Sequence, residues 1–206
     1  NLIYHILKTS SRKASMVSSV GAVITGKVYD TGFHVTTPSS WQLQRFLKKA
    51  VEEGALLGNK NFLVPHSQTA RHANSENFVP SQRQNYLVLE VTSHALDQNR
   101  VFGIKFDIGV LTNVTHEHLD YHKTYGEYVK TKFKLLKVAK IAILNKDDES
   151  YKLLNSKLSF DPELKTEGLV KIQKLITYGM REGTDVNPKN FLFKTNLNGE
   201  FNKYNI

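Results

Sequence analysis

Tyr86-Leu-Val-Leu-Glu-Val91 is a continuous apolar run holding a single carboxylate, and Thr92-Ser93-His94 follow it directly. Apolar residues without polar alternation read as a strand buried on both faces, as in the parallel sheet of an α/β domain. Glu90 then falls near the carboxyl end of that strand, where open α/β sheets place their ligands. A carboxylate in such surroundings is costly unless it is paired or meets a cation. Glu90 is therefore read either as the partner of an arginine or as a ligand for a bound cation.

Outward from this strand, the same texture recurs at residues 106–110 and 141–144. Residues 16–24 also read as a strand, with Gly26 turning the chain into 27–35. Helical spacing lies between these segments. Leu2, Ile3, Ile6 and Leu7 share one face, and Pro38-Ser39-Ser40 opens a helix carrying Leu43, Phe46, Leu47, Ala50 and Val51, which Gly54 closes. Residues 124–140 read as an amphipathic helix, and 147–158 as a shorter one with acids at its favourable end. After Gly168 the texture changes to residues 174–178 and a Gly/Asn/Pro-rich stretch, and Asn198-Gly199 between two alternating segments predicts a hairpin. The alternation implies an α/β fold, a mainly parallel sheet flanked by helices, with a small antiparallel region near the C-terminus. Residues 58–84 break the pattern with Asn, Gln, Ser and His, and read as a loop insertion.

At 206 residues the chain suits one domain, or one with an appendage. Hydrophobic residues at 40% allow a core, which excludes a disordered chain. No apolar run approaches the ~20 residues that span a bilayer, so no membrane partner is expected. Cysteine is absent, which excludes disulfides and thiolate metal sites. Together with the lack of a basic-then-apolar leader, this points to a cytoplasmic protein. The net charge of +9 raises nucleic acid as a partner. The basic residues are dispersed, however, and the one dense run, Lys130, Lys132, Lys134, Lys137 and Lys140, lies on a helix whose apolar stripe is Tyr128, Val129, Phe133 and Leu136. That run reads as a solvated face, and no nucleic-acid partner is expected.

The densest chemistry is Thr112-Asn-Val-Thr-His-Glu-His-Leu-Asp-Tyr-His122, with three histidines and two acids in its last seven residues. One reading is hydrolytic. His116-x-His118-x-Asp120 with His122 resembles the two-metal motif of metallo-β-lactamases, although Tyr121 displaces the last histidine by one position. A non-catalytic nucleotide-binding fragment is a further alternative.

The stronger resemblance is to the Mur ligase family, in the branch that adds the third peptide residue during peptidoglycan synthesis. It is carried by Thr36-Thr37-Pro38 with Leu43-Gln44-Arg45, and by Glu90-Val-Thr-Ser-His-Ala-Leu96 with Gln98 and Arg100. Phe106-Asp107, Thr112-Asn113 and Glu117-His118-Leu-Asp120-Tyr-His122 follow in order. Tyr128-x-x-x-Lys132 and Asn145-x-Asp147-Asp148 complete it, so the matches cover most of residues 1–180.

The resemblance implies a P-loop-type central ATPase domain over residues 1–206, truncated at both ends. The family's phosphate loop and its two outer domains would lie outside these residues, leaving the isolated piece inactive. It implies ATP and two Mg²⁺ sites, and a UDP-N-acetylmuramyl-dipeptide and an amino acid as the substrates joined through an acyl phosphate. Glu90 would bind one magnesium, and His118 with an N6-carboxylated Lys132 the other. Thr36, Thr37, Thr92, Gln98 and Arg100 would meet the muramyl-peptide, and Arg100 would also steady the acyl phosphate. Asn113, Asn145 and Asp147 would meet the nucleotide, and His94 would organise the site locally. Which amino acid is added is not legible in these residues.

Overall fold

The computed structural model describes residues 1–32, 36–52, 85–116, 119–160 and 172–191. The chain divides into two units, Asn1–Gly103 and Ile104–Ile206, and each holds its own sheet.

In the first unit, β1 (Lys13–Ser18), β2 (Gly21–Ile24), β3 (Lys27–Tyr29) and β4 (Asn85–Leu89) are ordered β3-β2-β1-β4. β1 and β4 are parallel, with Val17 opposite Leu89. β1, β2 and β3 form an antiparallel meander. The strand expected over 16–24 is therefore two strands. The chain reverses through Ser19 and Val20, and Ser18 pairs with Gly21. Gly21 has a φ of +119°, and a Cβ there would lie 3.2 Å from the Tyr29 carbonyl oxygen, so a side chain is disfavoured twice over. Thr25 and Gly26, with φ of 48° and 89°, make the next two-residue loop, whose left-handed residues match the strand twist. The antiparallel region thus sits at the N-terminal end, not the C-terminal end as the sequence suggested. The hairpin expected around Asn198-Gly199 and the 58–84 insertion lie outside the described residues.

Helix α2 (Ser40–Glu52) buries Leu43, Phe46, Leu47 and Ala50, the 3-4 spacing read from the sequence. Phe46 and Ala50 pack on Val17, Ala22 and Ile24, with Tyr29, Leu87 and Leu89 at the margin. α1 (Leu2–Thr9) buries Tyr4 and leaves Ile3 and Ile6 half exposed. β4 is half-buried rather than closed off on both faces, because among the described residues it is an end strand of its sheet. A short helix, α3 (Ser93–Asp97), follows it.

In the second unit β5 (Phe106–Leu111), β6 (Ala139–Asn145) and β7 (Lys174–Tyr178) run parallel in that spatial order. Around them lie α4 (Leu119–His122), α5 (Tyr125–Phe133) and α6 (Ser150–Phe160). The helix expected over 124–140 stops at Phe133. Leu135 and Leu136 are buried, and a 3-10 turn, Leu136–Val138, packs on β5 and β6 and delivers the chain into β6. Burying these apolar residues against the sheet outweighs continuing the helix. The lysine run is divided in its partners: Lys137 lies over the Phe133 ring at 5.8 Å, and Lys140 pairs with Asp107 at 2.6 Å. Among the described residues no helix is long and apolar enough to cross a membrane.

Candidate functional site

The first unit gathers most of its sequence-predicted residues around the end of β4. Glu90 lies one residue beyond the strand and is exposed, not sunk in it. Its main chain is held on both sides. Its N–H donates to the Val17 carbonyl at 2.9 Å, and its carbonyl accepts from the Thr37 hydroxyl at 3.0 Å. The same hydroxyl accepts the Thr92 N–H at 3.0 Å. Thr37 is thus buried, its hydroxyl spent on tying the turn before α2 to the turn after β4.

Thr92 in turn caps α3, its hydroxyl accepting the Ala95 N–H at 3.1 Å. Arg100 donates to the Thr37 carbonyl at 2.7 Å and grips the Gln98 side-chain oxygen through two nitrogens, at 2.9 and 2.7 Å. The fork of the guanidinium makes this double contact possible. Thr37, Glu90, Thr92, Gln98 and Arg100 therefore form one connected network. Thr36, beside Thr37, is half-buried. Sequence reasoning missed Ser19, whose N–H and hydroxyl both reach the Glu90 carboxylate.

In the second unit the predicted residues lie at and beyond the carboxyl ends of β5 and β6. Thr124 caps α5 by accepting the Glu127 N–H at 3.2 Å. This starts the helix so that Tyr128 and Lys132 share a face one turn apart, and the Lys132 Nζ stands 5.1 Å from the Tyr128 ring centroid. Lys132 is half-buried and donates to the Asn113 carbonyl at 3.3 Å. His122 is buried and stacks on the same Tyr128 ring at 4.8 Å. His116 stacks on Tyr125 at 4.4 Å instead. The two histidines are thus committed to different tyrosines, and among the described residues no group of three or more His, Asp or Glu could hold a metal. Glu117 and His118 lie outside the described residues, so the expectation for His118 as a ligand stands on the sequence.

Asn145 ends β6 and Asp147 and Asp148 follow it, and their polar atoms are turned to the chain itself. The Asn145 side chain accepts the Asp147 N–H at 3.0 Å. Asp147 accepts the Met180 N–H at 2.6 Å and lies 3.6 Å from the Arg181 Nε. A Cβ on Gly179 would come within 2.8 Å of this carboxylate, so glycine is what lets the loop after β7 close onto it. Asp148 ties its own turn to the segment after β5. It accepts the Val114 N–H at 3.3 Å, the Ser150 N–H at 3.0 Å and the Ser150 hydroxyl, which caps the start of α6.

Tyr125 donates to the Val114 carbonyl at 3.0 Å, and Tyr178 to the Thr112 carbonyl at 3.4 Å. Burial, with Asp148 adding to it, pushes the Tyr178 phenol up to about 12. Burial and then the charges of Asp148 and Glu149 also raise Tyr125. The N–H of Thr177 holds the exposed Asp185 below the usual carboxylate range. The sequence marked Asp148 only as a neighbour of Asp147, and nothing in the pattern marked it as the tie between the segments after β5 and β6.

The chain matches the model of the Mur ligase middle domain over residues 66–206. It is 28% identical to the UDP-N-acetylmuramoyl-L-alanyl-D-glutamate–2,6-diaminopimelate ligase 1 of Clostridium acetobutylicum, across 97% of this chain and 36% of the relative. The corresponding ligase of Parabacteroides distasonis is also 28% identical, across all of this chain and 37% of its own length. The UDP-N-acetylmuramyl-tripeptide synthetase 2 of Oceanobacillus iheyensis is 31% identical over 61% of this chain and 28% of its length. A solved UDP-N-acetylmuramoyl-L-alanyl-D-glutamate–2,6-diaminopimelate ligase shares the fold, with a TM-score of 0.62 at 22% identity over 89% of this chain and 30% of that one. The chain therefore spans 28–37% of the length of these relatives. With the middle-domain match extending over more than half of its length, the chain belongs to the Mur ligase family.

Proposed function

We propose that this chain is the ATPase part of a ligase that joins an amino acid to a UDP-N-acetylmuramyl-dipeptide in peptidoglycan synthesis. In this reading the terminal phosphoryl group of ATP passes to a substrate carboxylate, forming an acyl phosphate and releasing ADP. The amine of the incoming amino acid attacks that carbonyl carbon, the C–N bond forms, phosphate leaves and the amine loses a proton. The observation that carries the reading is the Thr37–Glu90–Thr92–Gln98–Arg100 network beyond β4, where the family motifs lie.

Thr36, Thr37, Thr92, Gln98 and Arg100, all in the first unit, are the residues for the muramyl-peptide. The Arg100 guanidinium, with one N–H on Nη1 and one on Nη2 beyond those given to Thr37 and Gln98, suits the acyl phosphate. In the second unit Asn113, Asn145 and Asp147 are the residues for the nucleotide. Glu90 fits a hard divalent cation, since it offers an exposed carboxylate at a strand end. His118 and Lys132 are the residues for a second cation. Lys132 suits it as a carbamate, which replaces a positive charge with oxygen donors. Magnesium, when bound, offsets the charge that develops on the transferring phosphoryl group.

The test is ADP release by the ligase carrying this domain, assayed with UDP-N-acetylmuramyl-dipeptide and single amino acids. Because several relatives are named for 2,6-diaminopimelate, that amine is tried first. ADP release that requires both substrates, with a product heavier by one amino-acid residue, supports the reading. ATP consumption indifferent to either substrate overturns it.

A further inference from the structure

We propose that Ser19, in the β1–β2 turn, is a positioning residue that aims the Glu90 carboxylate at its cation. This rests on the assignment of Glu90 as a cation ligand under the proposed function. Two donors of Ser19 converge on one oxygen: its N–H reaches Glu90 Oε2 at 3.2 Å and its hydroxyl reaches the same atom at 3.3 Å. No hydrogen bond or ion pair engages Oε1 among the described residues. The Glu90 main chain is already pinned by Val17 and Thr37. The side chain is thereby laid back across the turn with one oxygen held and the other presented.

That arrangement suits magnesium, which takes a few carboxylate oxygens at strict octahedral geometry and keeps several waters. Hydrogen bonds to a ligating carboxylate fix its orientation, and their loss weakens cation binding. The hydroxyl is not required to build the hairpin, because the Ser18–Gly21 pair and the left-handed Gly21 already close it. A small turn residue without a side-chain donor would close the turn as well, whereas the Ser19 hydroxyl adds a second donor facing Glu90. Since the Ser19 hydroxyl donates to Glu90, it acts through the carboxylate and not as a ligand itself.

The experiment titrates Mn²⁺ alone into the 206-residue chain. Cation binding is read from paramagnetic broadening of the backbone amide signals of Glu90 and Thr92, in wild type, S19A, S19G, S19T, E90Q and the S19A/E90Q double variant. We expect E90Q to abolish the local broadening. S19A and S19G should weaken the apparent affinity about tenfold, S19T should restore it, and S19A should add nothing in the E90Q background. S19G keeps the amide and suits a turn, so it covers a failure of S19A to fold. Wild-type affinity in S19A and S19G alongside loss in E90Q overturns the role of Ser19 and spares that of Glu90. Further weakening by S19A in the E90Q background makes Ser19 a ligand in its own right, which also overturns the proposal. Unchanged binding in E90Q overturns the assignment of Glu90, and the proposal with it.

Discussion

The hydroxyl of Thr37 donates to the main-chain carbonyl of Glu90 at 3.0 Å, joining residues that lie 53 positions apart in the chain. Because the same hydroxyl accepts the Thr92 N–H, one buried oxygen sets the spacing between the turn before α2 and the turn after β4. Within the first unit this contact places Thr37 relative to Glu90 and Thr92.

Replacing Thr37 with Val keeps its volume and strands both partners. We expect a loss of about 1–3 kcal/mol in unfolding free energy, read from urea denaturation, with Thr37→Ser much closer to wild type. Equal stability of Thr37→Val would mean that water replaces the hydroxyl without cost.

For Lys132 the expectation is chemical. In the ligase carrying this domain, Lys132→Ala and Lys132→Arg should both collapse turnover while the fold survives. Acetate should partly restore Lys132→Ala by standing in for the carbamate. Incubation with ¹³C-bicarbonate should give a carbamate signal by NMR in wild type and none in Lys132→Arg. Near-normal turnover of Lys132→Arg would return this residue to the role of a partly buried helix lysine packed on Tyr128.

Gly179→Ala should force the Asp147 carboxylate away from the loop after β7, since the added Cβ has 2.8 Å to the nearest oxygen. The Met180 N–H then loses its acceptor. A destabilisation of about 1–3 kcal/mol is expected, measured by thermal or denaturant unfolding. Asp147→Ala relieves the crowding, so adding Gly179→Ala to it should cost much less than in the wild-type background.

Tyr178 gives a pH dependence with a definite sign. Its phenol is raised from about 10 in the unfolded chain to about 12 in the fold, so the folded state favours the neutral form. That contribution is fully present below pH ~10 and is lost as pH rises towards ~12. Urea midpoints should therefore fall over this window, and the fall should be shallower in Tyr178→Phe. Absorbance of the phenolate near 295 nm should show one tyrosine titrating late in wild type and absent from that variant.

Much of the local structure was legible in the sequence, because hydrophobic period depends on neighbours along the chain. The spacing of Leu43, Phe46, Leu47 and Ala50 is that of α2, and the apolar runs before Glu90, Asn113 and Lys146 are β4, β5 and β6. The turn at Ser19-Val20 was not legible: residues 16–24 are apolar enough to pass for one strand, and only pairing of Met16 with Val23 reveals the reversal. The end of α5 at Phe133 was hidden likewise, since Leu135 and Leu136 keep the helical spacing while β5 and β6 claim their burial.

The candidate site divides in the same way. Motif order pointed to Thr37, Glu90, Thr92, Arg100 and Lys132 as residues, and helical period placed Tyr128 and Lys132 on one face. By itself the sequence named the candidate side chains and determined the α/β alternation that sets them at strand ends. Tertiary structure alone decided what those side chains touch. Thr37 is buried and spent on the backbone, Glu90 is exposed and gripped by Ser19, and Asp147 and Asp148 close loops. The reason is physical: a hydrogen bond is decided by distance and direction between groups far apart in sequence, which no local pattern of residue types encodes.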